Sequence, residues 1–154
     1  MTTSGRIVQV SVSAGGVPKT AVPRAEIGPL GIVGDMHRFR LHGGSDKALL
    51  ILASEVVDDL RAEGWSLFYG ALGENLTTRG LDHSTWQAGQ RFRIGTVLLE
   101  LTTPREPCRT LNPYGRGLQK RLRMNWGESG FYAAVLTGGI LVPGAMVERV
   151  ESVL

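Results

Sequence analysis

Residues 91–103 of the chain read RFRIGTVLLELTT, and this stretch decides the predicted fold. At its centre, Gly95-Thr96 is a two-residue turn between two apolar arms, which is the pattern of a β-hairpin. In the second arm Leu99 and Leu101 share one face, because alternate residues of a strand point to the same side. The stretch therefore predicts an antiparallel hairpin with arms at 91–94 and 97–103.

Working outward from this hairpin, further short apolar segments predict strands separated by turns. They are residues 6–12, 21–27, 47–52, 131–137, 140–142 and 146–153, with Gly138-Gly139 as the turn of a second hairpin between 131–137 and 140–142. Ser54 is the predicted N-cap of a helix over 55–63, and residues 118–124 predict one or two helical turns. Glycine makes up 21 of 154 residues, which suits many tight turns. We expect a mainly β fold, a closed or strongly bent barrel with a few peripheral helices.

Composition limits the class of protein. Hydrophobic residues make up 42% of the chain and charged residues 20%, which predicts one globular domain over residues 1–154 rather than disorder. A single cysteine suits a reducing compartment, and no signal peptide or run of 18 apolar residues occurs. We therefore expect a soluble cytoplasmic protein with no membrane contact. The net charge of +3 is compatible with an anionic ligand and too small to imply nucleic acid.

The single cysteine, Cys108, lies in the segment TPREPCR at residues 103–109. The two prolines restrict the loop, so the thiol is expected to occupy a narrow range of positions. Arg105 and Arg109 favour the thiolate if either guanidinium lies close to the sulfur. Such a thiol can act as a nucleophile, as a sulfur carrier or as one soft ligand to a metal, and a buried structural cysteine is the alternative.

Three other polar segments are candidates for ligand binding. In His42-Gly43-Gly44 the paired glycines allow a close backbone approach to a ligand, and Lys47 adds a positive charge for phosphate; an ordinary turn is the alternative. Asn75 offers the donor and acceptor that a heterocycle requires, or forms an Asx-turn. The third segment places Arg116, Lys120 and Arg123 on one helical face, which is either a solvated surface or a basic patch that faces an anion or a partner.

Taken in order, these segments resemble the MOSC domain, named for the C-terminal domain of molybdenum cofactor sulfurase. The resemblance covers about residues 31–151 and rests on an ordered set of motifs that includes the only cysteine of the chain. These motifs are Gly34-Asp35, His42-Gly43-Gly44, Asp46-Lys47-Ala48, Gly73-Glu74-Asn75-Leu76, Gly95, Pro104-Arg105-Glu106-Pro107-Cys108, Gly130-Phe131-Tyr132 and Gly138-Gly139.

The resemblance implies a barrel of the pyruvate-kinase β-barrel-like type and a ligand, the pterin-based molybdenum cofactor. Cys108 matches the cysteine whose sulfur bonds molybdenum, a soft donor for a metal whose other sulfurs come from the pterin dithiolene. Because the cofactor is anionic, we expect Arg105 near the metal. The other expected cofactor contacts come from His42, Gly43, Gly44, Lys47, Asn75, Arg79 and Arg109.

Longer members of this family carry an additional N-terminal β domain or a C-terminal helical extension, and neither is present in this chain. We therefore expect a second copy of the chain, as a homodimer, or another protein to complete the pocket. The implied activity is the removal of oxygen from N-hydroxylated compounds such as hydroxylaminopurines and amidoximes. Electrons are expected from a separate reductase, because no flavin motif and no set of cysteines for an iron–sulfur cluster occurs.

Two other functions are compatible with the sequence. The chain is alternatively a non-catalytic carrier of the cofactor or of a persulfide on Cys108, delivering it to a molybdoenzyme. A nucleic-acid-binding barrel that uses Arg116, Lys120 and Arg123 is disfavoured, because the three tryptophans and three tyrosines are not interleaved with the basic residues.

Overall fold

The computed structural model describes residues 4–35 and 44–150. Its strands are β1 (Ser4–Val12), β2 (Thr20–Val22), β3 (Ala25–Gly28), β4 (Gly31–Ile32), β5 (Leu49–Ala53), β6 (Leu76–Arg79), β7 (Arg91–Ile94), β8 (Val97–Pro104), β9 (Phe131–Thr137), β10 (Gly139–Leu141) and β11 (Met146–Val150). Its α-helices are α1 (Ser54–Ala62) and α2 (Leu118–Leu122), and short 3-10 helices cover Ser45–Lys47, His83–Thr85 and Arg109–Tyr114.

Seven strands form a closed barrel in the order β11-β7-β8-β9-β5-β6-β1, and pairing of β1 with β11 closes it. The neighbours are antiparallel except β5 and β6, which are parallel and joined through α1. This agrees with the need of parallel neighbours for a crossover connection. Strand β2 extends the sheet from β1, while β10, β3 and β4 form a second small sheet. The predicted mainly β barrel with few helices is confirmed.

The barrel interior is filled by alternate residues of the strands. In β7 Phe92 and Ile94 are buried while Arg91 and Arg93 are exposed, and in β8 Leu99 and Leu101 are buried. Ile94 pairs with Val97 across the predicted Gly95-Thr96 turn, so the hairpin prediction is confirmed. Burial of these side chains supplies the main favourable free energy of folding. Within the described residues, no helix has the length and apolarity needed to cross a membrane.

Two predictions about local structure are wrong. Strand β10 does not form a hairpin with β9, because β8 and β5 already occupy both edges of β9, and β10 pairs with β3 instead. Ser54 is not the N-cap of α1, because the helix already begins at Ser54 and Ala53 precedes it. The Ser54 hydroxyl instead accepts a hydrogen bond from Nε of Arg79, at 3.2 Å.

One glycine fixes the junction between the barrel and the loop that follows β8. Gly130 has φ +93°, and a Cβ at this position would lie 2.7 Å from the carbonyl oxygen of Ile51. Only glycine adopts this conformation in so little space. The Gly130 carbonyl can therefore approach β8, where it accepts a hydrogen bond from the backbone N–H of Arg105, at 2.9 Å. This bond fixes the start of the segment that carries Cys108.

Candidate functional site

The Cys108 thiol lies in a loop that is held at both ends. Arg105 is hydrogen-bonded to Gly130 at the first end, and at the second the Cys108 carbonyl accepts a hydrogen bond from the backbone N–H of Leu111, at 3.1 Å. Leu111 is fully buried in the core, so it ties the short helix Arg109–Tyr114 to the barrel. Cys108 itself is extended and half-buried. The thiol is therefore held in place and remains partly accessible to a ligand.

The environment of the Cys108 thiol favours its ionised form. Burial by itself raises the pKa of the thiol. Hydrogen bonds from the Thr110 side chain and backbone lower it, as do the charges of Arg105 and Arg109, and together these outweigh the effect of burial. The sulfur lies 2.9 Å from Oγ1 of Thr110. The net result is a pKa below the ordinary value for cysteine, which is typical of reactive and metal-binding thiols.

Arg105 is 8% exposed, and its Nη1 atom is buried with no hydrogen-bond partner among the described residues. Burial lowers the pKa of Arg105, while Tyr132, Cys108 and Glu74 raise it through their negative charge when ionised. Buried guanidinium N–H groups are nearly always paired, so an unpaired one is a suitable position for an acceptor group of a ligand. Glu74, whose pKa is raised by burial, also has an unpaired buried oxygen, Oε1.

Lys47 and Tyr132 meet beside this group. The Lys47 ammonium lies 5.1 Å from the centroid of the Tyr132 ring, a cation–π contact. Burial raises the pKa of Tyr132, and Arg105 and Cys108 act on it in opposite directions. The structure thus brings Lys47, Arg105 and Cys108 around Tyr132, which the sequence did not identify as a site residue. The only sequence feature that pointed to Tyr132 was its position in the motif Gly130-Phe131-Tyr132.

Asn75 is buried, and its side chain is used within the protein. Its Oδ1 accepts a hydrogen bond from the backbone N–H of Leu50, and its Nδ2 donates to the carbonyl of Ser11 and to Oδ2 of Asp35. Asp35 in turn forms a buried ion pair with Lys19, with Nζ at 2.7 Å from Oδ1. Asn75 therefore links β1, β5 and the Lys19–Asp35 pair, and both of its amide protons are already donated.

The other predicted site residues occupy different environments. Arg79 donates to Oγ of Ser54, to Oδ2 of Asp58 and to the hydroxyl of Tyr69, so its guanidinium is held against α1. Arg109 is exposed and contributes positive charge to the thiol. Gly44 is exposed, with φ +104°, and begins the turn that carries Lys47.

His42 and Gly43 lie outside the described residues, and their predicted contact with a cofactor stays a prediction. Of the predicted site, the structure brings together Cys108, Arg105, Arg109 and Lys47, and gives Asn75 and Arg79 partners within the protein.

Comparison with known proteins gives relatives of both sequence and fold. The chain is 35% identical over 136 residues to the protein YiiM of Escherichia coli, and 33% identical over 129 residues to a protein of Gibberella moniliformis named "Reductase". It spans 58% of the first relative's length and 23% of the second's. The crystal structure of YiiM from Geobacillus stearothermophilus has a TM-score of 0.78 and 30% identity, covering 96% of this chain and 75% of that one.

The family model of the MOSC domain matches residues 38–148, more than two thirds of the chain. This range includes strands β5 to β10 and the first part of β11, together with Lys47, Arg105 and Cys108. MOSC domains are associated with the molybdenum cofactor, which links the chain to the biochemistry of that cofactor. On the family match and the YiiM likeness together, the chain belongs to the MOSC domain family.

Proposed function

We propose that the chain binds the molybdenum cofactor through the Cys108 thiolate and removes oxygen from N-hydroxylated compounds, with electrons from a separate reductase. The observation that carries the proposal is the half-buried thiol of lowered pKa beside the buried guanidinium of Arg105, whose Nη1 has no partner among the described residues. A soft anionic donor next to an unpaired cationic donor suits a metal that arrives within an anionic ligand.

The residues present fit this group. Cys108 would supply one sulfur ligand, and Arg105 would donate through Nη1 to an acceptor oxygen of the cofactor. Lys47, which contacts Tyr132, and Arg109, whose charge acts on the thiol, would balance the remaining negative charge. When bound, the cofactor supplies the two-electron chemistry that converts an N–OH group and two protons into N–H and water. The chain's part is to hold the group, balance its charge and restrict its approach.

The test is metal loading followed by turnover. The protein is produced in a host that synthesises the cofactor, molybdenum is measured by elemental analysis, and the pterin is measured by fluorescence after release. We expect close to one molybdenum per chain and conversion of benzamidoxime to benzamidine with dithionite-reduced methyl viologen as donor. Loaded protein that reduces neither benzamidoxime nor a hydroxylaminopurine with this donor would contradict the catalytic part of the proposal.

The accessible, ionisable thiol also favours a second candidate, a carrier of sulfur as a persulfide on Cys108. This candidate predicts freshly purified protein that is about 32 Da heavier, with the added sulfur removed by a reducing agent. Intact-protein mass spectrometry before and after reduction measures it. A mass equal to that of the sequence in both samples excludes a standing persulfide.

The pH dependence of thiol reactivity tests the environment of Cys108 separately from any metal. Because the folded protein lowers the pKa of this thiol, the rate of alkylation by iodoacetamide in metal-free protein should reach half its plateau below the ordinary value of about 8.5. Arg109→Ala and Thr110→Val should each move the midpoint upward, and Arg93→Ala, on β7, should leave it unchanged. A midpoint at or above the ordinary value in the native protein would show that burial outweighs the charges and hydrogen bonds.

A further inference from the structure

Positive charge in the chain is concentrated in one segment that contains Cys108. Residues 107–127 contain five arginines and lysines and no aspartate or glutamate, whereas the rest of the chain carries 12 basic and 14 acidic residues. The net charge of +3 therefore comes from this segment alone. Such local asymmetry sets the direction from which a charged partner approaches.

The structure separates the five cations into paired and outward-facing groups. Arg121 is held by Glu63 and Glu128, at 2.7 and 3.1 Å, and Arg123 by Glu106 and the carbonyl of Pro107. Arg109, Arg116 and Lys120 are exposed, and none of the three forms an ion pair with a described residue. These three charges remain available at the surface. Leu118 and Leu122 are buried beneath them and fix α2 to the barrel.

Two large exposed apolar side chains follow α2 in the same segment of the chain. Met124 is 66% exposed and Trp126 is 54% exposed. The Trp126 ring is not mobile in solvent, because its Nε1–H donates to the carbonyl of Trp86 at 2.7 Å and its ring meets Phe131 edge-on. Trp126 also lines an open cavity of about 420 Å³ beside the loop 104–107. A rigid, exposed tryptophan flanked by methionine and arginines has the composition of a protein interface.

We infer that one surface, the basic–apolar surface, docks an acidic electron-carrier protein, and this inference rests on the proposed function. The surface consists of Arg109, Arg116, Lys120, Met124 and Trp126. Charge complementarity would steer the partner, and the Trp126 ring would anchor an apolar patch on it. The surface begins at the residue after Cys108, so a partner seated on it lies against the thiol loop. A nucleic acid is less suited to this surface, because stacking of successive bases requires several aromatic rings, and Trp126 is its only aromatic residue.

The experiment measures binding of metal-free, full-length protein to an acidic flavodoxin by calorimetry at 20 and 200 mM NaCl. We expect micromolar affinity at low salt and about tenfold weaker binding at high salt. The double variant Arg116→Glu/Lys120→Glu and the variant Trp126→Ala should each weaken binding about tenfold or more. Circular dichroism checks that each variant is folded.

The matched control is Arg93→Glu, which reverses an exposed charge on β7. Arg93 pairs with Leu98, and Leu98 lies six residues before Pro104 on β8, roughly 20 Å from the start of the thiol loop. We expect its affinity for flavodoxin to stay within about twofold of the native value. If Arg93→Glu weakened flavodoxin binding as much as the double variant does, net charge alone would explain the effect, and the inference would be overturned.

Three further results would overturn the inference. One is the absence of flavodoxin binding at 20 mM NaCl, and another is a 20-base-pair DNA duplex that binds more tightly than flavodoxin and no longer binds the double variant. The third is a dimer of the native chain in sedimentation that Trp126→Ala dissociates. Because the binding measurement uses metal-free protein, it does not depend on the proposed catalysis. In molybdenum-loaded protein, the double variant should keep its turnover with reduced methyl viologen and lose most of its turnover with flavodoxin and its reductase. Loss with both donors contradicts a docking role.

Discussion

The Cys108→Ser variant is expected to lose at least about nine tenths of its bound molybdenum and keep its fold. A serine hydroxyl stays protonated where the thiol ionises, and its oxygen is a harder donor that suits this metal poorly. Since Cys108 is half-buried and serine can keep the contact with the Thr110 hydroxyl, the exchange should change the free energy of unfolding by no more than about 1–2 kcal/mol. The measurements are the molybdenum-to-protein ratio and urea unfolding of the same preparations.

The control for this experiment is Thr103→Ser, a similarly small exchange at the end of β8, just before the loop begins. It should retain the native molybdenum content, because Thr103 precedes the anchored Arg105 and makes only a weak hydrogen bond to Pro104. A Cys108→Ser protein that carries as much molybdenum as the control would show that the thiol does not anchor the cofactor. In that case the cationic groups around Tyr132 would have to hold it alone.

Lys19→Met is expected to cost about 3–5 kcal/mol of stability, a large share of the total for a domain of this size. Lys19 and Asp35 have side chains that are only 5% and 3% exposed, and they face each other at 2.7 Å. Removing the lysine leaves the Asp35 carboxylate buried with the hydrogen bonds from Ser13 and Asn75 and without its cation. Chemical denaturation at neutral pH measures the loss.

Two further variants test whether this loss of stability comes from breaking the buried Lys19–Asp35 ion pair. Lys120→Met removes a lysine from the exposed face of α2 and should change stability by no more than about 0.5 kcal/mol. Lys19→Met/Asp35→Asn should recover part of the loss, because the unpaired buried charge is then gone. A cost below about 1 kcal/mol for Lys19→Met alone would mean that water reaches Asp35 in the folded protein.

The barrel followed from the sequence where the pattern was local. The hairpin of β7 and β8 has its turn and both arms within 14 consecutive residues, so alternation was sufficient to predict it. The partner of β10 was not predictable in this way. Its pairing depends on which strand edges are free once β9 lies between β5 and β8, and that is a property of the whole sheet.

The site residues also divide into those that local sequence predicts and those that depend on the whole fold. Arg105 and Cys108 are near neighbours in the chain, and their mutual influence was expected from the loop itself. The contact of Lys47 with Tyr132 joins residues far apart in sequence, and nothing local to either indicated the other. For Asn75 the side chain suited a ligand and the protein interior equally well, and only the positions of Leu50, Ser11 and Asp35 decide that it braces the barrel.

Closure of the barrel has a consequence for how such proteins diversify. Both β8 and β9, which border the Cys108 segment, have hydrogen-bonded neighbours on each side, so neither offers a free edge to other chains. Insertions and deletions in the exposed parts of the connection between them, residues 105–130, can accumulate without unravelling the sheet beneath. We expect new substrate preferences in this family to arise from changes in the length and sequence of that connection, while the position of the Cys108 sulfur relative to the barrel is retained.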